Sequence, residues 1–150
     1  MFTDVLSALH DFGHLEHAVS KLNALYNTFS YDAQIFSREA LLRDIFYLAG
    51  VLSACQLARE VPNSRGRSDL ELSAAGERLV FEFKLARTDS ESGRLLIQAV
   101  QQLTERAYGK TLPMMATLSY VIVFSQESRK IVRICALRGS ELLGSYPGNS

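Results

Sequence analysis

Residues 78–86, Arg-Leu-Val-Phe-Glu-Phe-Lys-Leu-Ala, set a glutamate and a lysine into a mostly apolar run. In an extended strand successive side chains alternate between faces. Glu82 and Lys84 therefore point one way, while Leu79, Phe81, Phe83 and Leu85 point the other. Upstream lies Gly66-Arg67-Ser68-Asp69, with a turn built around Ala74, Ala75 and Gly76 between the two stretches. A hairpin across that turn brings a second carboxylate, Asp69, beside Glu82. Two carboxylates and an ammonium on a hydrophobic sheet are costly to bury unless a cation joins them. Any fold of this chain has to answer for that cost.

The chain has 150 residues, enough for one compact domain with a real core and too few for two ordinary ones. With 47% hydrophobic and 21% charged residues, it reads as globular rather than disordered or coiled-coil. No apolar run approaches the roughly 20 residues that span a membrane. The opening Met-Phe-Thr-Asp-Val lacks the basic segment of a signal peptide. Cys55 and Cys135 lie in apolar segments and fit neither a disulfide framework nor a zinc spacing. A cytoplasmic location without membrane contact is the expectation. The 16 basic and 16 acidic residues cancel, so the chain as a whole has no electrostatic pull toward nucleic acid. That argues against a tight constitutive DNA binder and leaves room for a local basic rim, with Arg65, Arg67, Arg87, Arg94, Arg106 and Lys110 as candidates.

Apolar spacing predicts helix over residues 1–30, interrupted at Tyr31-Asp32-Ala33. Ser37 is a candidate N-cap for a second helix running through Leu41, Leu42, Ile45, Phe46, Leu48 and Ala49 toward Cys55. A short strand at 57–61 leads into the turn Pro62-Asn63-Ser64-Arg65-Gly66, and strands follow at 68–73 and 78–86. Thr88-Asp89-Ser90-Glu91 carries helix-start chemistry for a helix ending near Tyr108, where Gly109 to Pro113 breaks it. Strands at 118–125 and 130–137 flank the turn Gln126-Glu127-Ser128, and residues 146–150 read as a loose tail. The order α-βββ-α-ββ implies an α/β sandwich, its mixed sheet made of an antiparallel meander and a right-handed crossover to the strand at 118–125. By domains, residues 1–36 read as a helical N-terminal extension and residues 37–150 as a single compact unit.

On the helix over 90–108, Leu95, Leu96, Ala99, Leu103 and Ala107 form an apolar stripe that Gln102 adjoins, and Tyr108 ends it. Glu60 precedes the Gly66 turn, and Asp44 or Glu39 projects from the preceding helix. Together with Asp69, Glu82 and Lys84, these residues compose a polar cluster in an apolar architecture. Charge divides the labour among them. Asp69 and Glu82 suit magnesium, a hard ion that prefers oxygen and keeps several waters. Lys84, a compact point charge, suits orienting a water or stabilising charge that develops on a phosphate.

Glu60 with Gly66-Arg67-x-Asp69, then Phe-Glu-Phe-Lys at 81–84, then Ala99-x-x-Gln102-Leu103 and Tyr108, resembles the PD-(D/E)XK nuclease superfamily. The likeness is strongest to the small nuclease-like domain that follows an AAA-type ATPase in many bacterial proteins. Val121-Ile122-Val123-Phe124 with the strand after it resembles that domain's final strand pair, and Leu22 through Asp32 the segment leading into it. The resemblance spans residues 20–137 and implies a restriction-endonuclease-like core that cleaves DNA with Mg²⁺ or Mn²⁺. It assigns catalysis to Asp69, Glu82, Lys84 and Gln102. It assigns metal binding to Asp69, Glu82, Glu60 and Asp44, and nucleic-acid contact to Arg67 and Tyr108.

Two departures qualify this. The family's first-helix glutamate is matched by the shorter Asp44, ahead of Phe46-Tyr47, and the ATPase module is absent. Gly109-Lys110-Thr111 mimics the end of a phosphate-binding loop, but Thr104 stands where that loop needs glycine. The domain is then a gene remnant, a truncation or a free-standing relative, with the ATPase lost or a separate partner. Paired cuts would call for a homodimer. The principal alternative is a catalytically inactive interaction module that keeps the fold. A more distant one is zinc held by His10, His14 and His17, spaced to share one helical face.

Overall fold

Period-two alternation along β3 (Glu77–Ala86) sorts two cores onto the two faces of one sheet. The computed structural model describes residues 2–29, 38–52, 56–63, 66–74, 77–108 and 117–148, without the side chains of 29, 52, 56–63, 66–69, 74 and 106–108. Three helices precede the sheet: α1 (Phe2–Leu9), α2 (Leu15–Phe29) after a 3-10 turn at Phe12–His14, and α3 (Glu39–Leu52). β1 (Gln56–Asn63) and β2 (Gly66–Ala74) lead into β3. α4 (Ser92–Tyr108) crosses to β4 (Thr117–Ser125), followed by β5 (Lys130–Arg138) and β6 (Glu141–Tyr146). The six strands form one sheet in chain order, antiparallel except for the parallel β3–β4 pair that α4 connects. This is the expected mixed α/β sheet of a restriction-endonuclease-like core. Among the described residues, no helix is long and apolar enough to cross a membrane.

On one face Leu79, Phe81 and Phe83 join Leu70, Leu72, Tyr120, Ile122 and Phe124 beneath α1, α2 and α3. Phe46 of α3 is fully buried there, its ring 4.8 Å from that of Phe81, 5.6 Å from Phe83 and 5.2 Å from Phe2. Such pairs add to the stabilisation that burial alone supplies. The N-terminal helices are fastened to the sheet by polar contacts as well. Tyr120 donates its hydroxyl proton to the Leu9 carbonyl at 2.9 Å, and the Asn23 amide brackets Ile131, accepting from its N–H at 2.8 Å. On the other face α4 lays Leu95, Leu96, Ala99, Val100 and Leu103 over Ala86, Val121, Val123, Cys135 and Leu137. Burial pushes the Cys135 thiol up to about 11.

Two expectations need correction. The helix expected over the first 30 residues is broken at residues 10–14, where Gly13 disfavours helix and Asp11 engages His14 Nδ1 at 3.2 Å. Tyr146, expected in a loose tail, ends β6 and pairs with Ile134. β6 has little apolar alternation of its own, and Leu142 is exposed. Its strand forms because β5 offers an edge and the Phe12 turn covers it. Gly144 makes that cover possible, since a Cβ there would overlap the Phe12 carbonyl. The expected N-cap Ser37 and the Gly109-Lys110-Thr111 segment lie outside the described residues.

Two substitutions test this packing, both read by urea unfolding. Phe46→Ala should lower stability by about 3–5 kcal/mol through loss of a fully buried ring. Gly144→Ala should lower it by about 1–3 kcal/mol through overpacking, whereas Gly13→Ala, with open space around its Cβ position, should not.

Candidate active site

Facing α4, β3 presents Val80, Glu82, Lys84 and Ala86. Glu82 is 4% exposed and Lys84 is half-buried, and their partners across the parallel ladder are Val121 and Val123. A carboxylate in such apolar surroundings needs compensation by charge or hydrogen bonds.

Strand pairing brings further acids to neighbouring strands. β2 and β3 are matched from Ala74↔Glu77 to Leu70↔Phe81. The ladder ends there, with position 69 and Glu82 each the next residue along its strand. β1 and β2 are matched at Arg59↔Leu70 and Val61↔Ser68, which bracket position 60 against position 69. Positions 60, 69 and 82 are on three neighbouring strands of the sheet, and adjacent strands run about 4.8 Å apart. The side chains of Glu60, Arg67, Asp69 and Tyr108 lie outside the described residues. Arg67 is opposite Pro62 in the β1–β2 ladder, and Tyr108 closes α4.

Other expected site residues sit further off. Gln102 is exposed on α4, between the buried positions Ala99 and Leu103. Asp44 is on α3, which covers the sheet face opposite Glu82, and its carboxylate meets Arg43 at 3.2 Å. Glu39 at the start of α3 accepts from the Leu85 N–H at 3.4 Å, next to Lys84 in sequence.

One pair on the Glu82 face escaped the sequence reading. Glu71 lies opposite Val80, and Arg78 takes both its oxygens, with Nε donating to Oε2 at 3.1 Å and an Nη2 contact to Oε1. The available signal was parity, because Glu71 is two residues beyond Asp69 and so shares its face.

Beyond Lys84 the end of the sheet is tied down by Asp89. Its carboxylate accepts from the hydroxyls of Ser125 and Ser128, the latter at 2.8 Å. Its carbonyl accepts from Ser92 Oγ at 2.6 Å, which in turn accepts from Arg133 Nε at 2.8 Å. Thr88 Oγ1 accepts from the Glu91 N–H at 3.3 Å, as the helix-start reading required. This network joins the start of α4 to the β4–β5 turn. The hydrogen bonds from Ser125 and Ser128, and then the charge of Lys130, hold the Asp89 carboxyl below its ordinary value of 3.8.

The histidines do not converge. His10 Nδ1 contacts the Leu6 carbonyl at 2.8 Å and its Nε2 meets Glu77 at 3.4 Å, while His14 and His17 stack on each other. Among the described residues, no group of three or more His, Cys, Asp or Glu side chains could hold a metal ion. On the Glu82 face the acidic side chains offer oxygen, which suits a hard divalent cation, while Cys135 on the same face is buried in the apolar layer under α4 with its thiol pushed up.

A family model for the PD-(D/E)XK nuclease superfamily matches residues 37–134. No curated protein matches the chain.

Asp89 supplies a test of the scaffold around the site. Because its carboxyl is depressed in the folded state, its stabilisation is full above the unfolded value and is lost as pH falls through the folded one. Wild-type protein should therefore be more stable than Asp89→Asn at pH 7, with the gap closing below pH 3.8. Urea unfolding at pH 7 and in acid measures that gap. An equal gap at both pH values would remove the charge from the account.

Proposed function

The chain belongs to the PD-(D/E)XK nuclease superfamily, and on that premise we propose that it hydrolyses phosphodiester bonds of DNA with Mg²⁺ or Mn²⁺. The observation that carries the reading is the buried carboxylate of Glu82 beside half-buried Lys84, one residue past the Leu70↔Phe81 pair that joins β3 to the strand of Asp69. Glu82 and Asp69 are the proposed ligands, with Glu60 as a third. A bound divalent cation supplies Lewis acidity toward phosphate oxygen and lowers the pKa of a water.

Lys84 contributes through charge and reach. Its ammonium stays on the carboxylate face, where it can donate to a phosphate oxygen or hold the attacking water. A cation fixed in a partly desolvated site stabilises developing negative charge far better than one free in water. α4 excludes solvent from the inner end of the site, and Gln102 and Tyr108 are proposed to line its outer edge. Arg67 is proposed to contact the nucleic-acid backbone, giving a neutral chain the local positive charge that binding requires. Asp44 is left out of the ligand set because α3 packs on the opposite face.

Neutral net charge favours one competing reading, an inactive module that keeps the fold and binds a protein partner. Incubation of purified protein with single- and double-stranded DNA and Mg²⁺ or Mn²⁺ separates the two. Cleavage should appear, and Lys84→Ala and Glu82→Gln should each reduce it by about 100-fold or more. No cleavage with either ion, or the same cleavage by Lys84→Ala, would end the catalytic reading.

A further inference from the structure

In the β2–β3 ladder Glu71 stands opposite Val80, so Arg78 lies on one of its diagonals and Glu82 on the other. Side chains on such diagonals start about 7–8 Å apart at most, within reach of a long side chain in either direction. Glu71 can thus turn toward the site or away from it. In the structure it turns away, because Arg78 engages both carboxylate oxygens. The pair is well shielded, with side-chain exposures of 26% for Arg78 and 14% for Glu71. A guanidinium fork on a carboxylate fixes orientation as well as charge. Lysine could not replace it geometrically.

We propose that Arg78 is a positioning residue that withholds Glu71 from the cation of the neighbouring Glu82 site, limiting the carboxylates that site offers. The proposal rests on the metal-dependent reading above. Magnesium keeps several waters and is held by one or two carboxylates plus substrate oxygens. With Glu82, Asp69 and Glu60 as the proposed ligands, a further carboxylate would displace water and hold the cation tighter or invite a second. Releasing Glu71 from Arg78 removes the guanidinium that holds its carboxylate on the diagonal away from Glu82, on the face the two acids share.

Calorimetric titration of the whole chain with MnCl₂ tests this, with thermal melting as the check on folding. Arg78→Gln should bind Mn²⁺ about tenfold more tightly, or bind a second ion, which is the scale on which outer partners tune metal sites. Adding Glu71→Gln to that variant should restore wild-type binding. Glu71→Gln alone should bind as wild type does, since the withheld carboxylate is not a ligand. If Glu71→Gln alone weakens binding, Glu71 is itself a ligand and the proposal falls, whatever becomes of the fold of Arg78→Gln. If wild type and Arg78→Gln bind one ion equally, the proposal falls and the nuclease reading stands. If Mn²⁺ binds only to Arg78→Gln, wild type holds no cation from which Glu71 could be withheld, and the proposal falls with the metal-dependent reading. Binding by neither overturns both.

Discussion

The fold and the site both hang on β3, which serves two incompatible environments through alternate residues. Phe81 and Phe83 are clamped by Phe46 from α3 and by Tyr120 from β4, whose ring lies 5.3 Å from Phe81. Those rings fix the orientation of the strand. Once they are buried, Glu82 has no choice of face, because it lies between them in sequence. A one-residue slip would bury Glu82 and Lys84 among aromatic rings and expose the rings to α4. The apolar core therefore holds the carboxylate in place, and the aromatic cluster is part of the site's scaffold although it touches none of its chemistry.

Neighbouring strands complete what β3 begins. Antiparallel pairing sets β2, and β1 beyond it, beside β3, and α4 covers the face on which Glu82 lies. The Asp89 junction anchors the start of α4 to the β4–β5 turn, so the helix and the sheet meet at a defined angle near Lys84. On this face Arg78 holds Glu71.

Much of this was legible before any coordinates. The alternation of β3, the capping residues before α4 and the turn at Gln126-Glu127-Ser128 are local signals that survive into the structure, whereas Pro62, Asn63 and Gly66, expected in a turn, extend β1 and β2. The break between α1 and α2 was harder to see, since the apolar spacing continues across it and only Gly13 hints at the interruption. β6 left almost no trace, because its stability comes from the β5 edge and the Phe12 turn rather than from its own residues. Glu71 carried a readable parity. Its restraint by Arg78 was not readable, since that depends on which diagonal of the ladder the side chain takes. Asp44 shows the same limit. Its sequence neighbours Phe46 and Tyr47 mark it as part of a core helix, but nothing local says which sheet face that helix covers.

From its sequence alone this chain determined the order of its elements from α3 to β5, the two faces of β3 and the acidic and basic residues that could share a site, because backbone periodicity and turn chemistry act over a few residues. Tertiary structure decided the rest. It chose the face for α3, the edge for β6, the register of β2 on β3, and the placing of Arg78 against Glu71. Those choices are made by contacts between residues far apart in the chain, where burial of apolar surface outweighs any local preference.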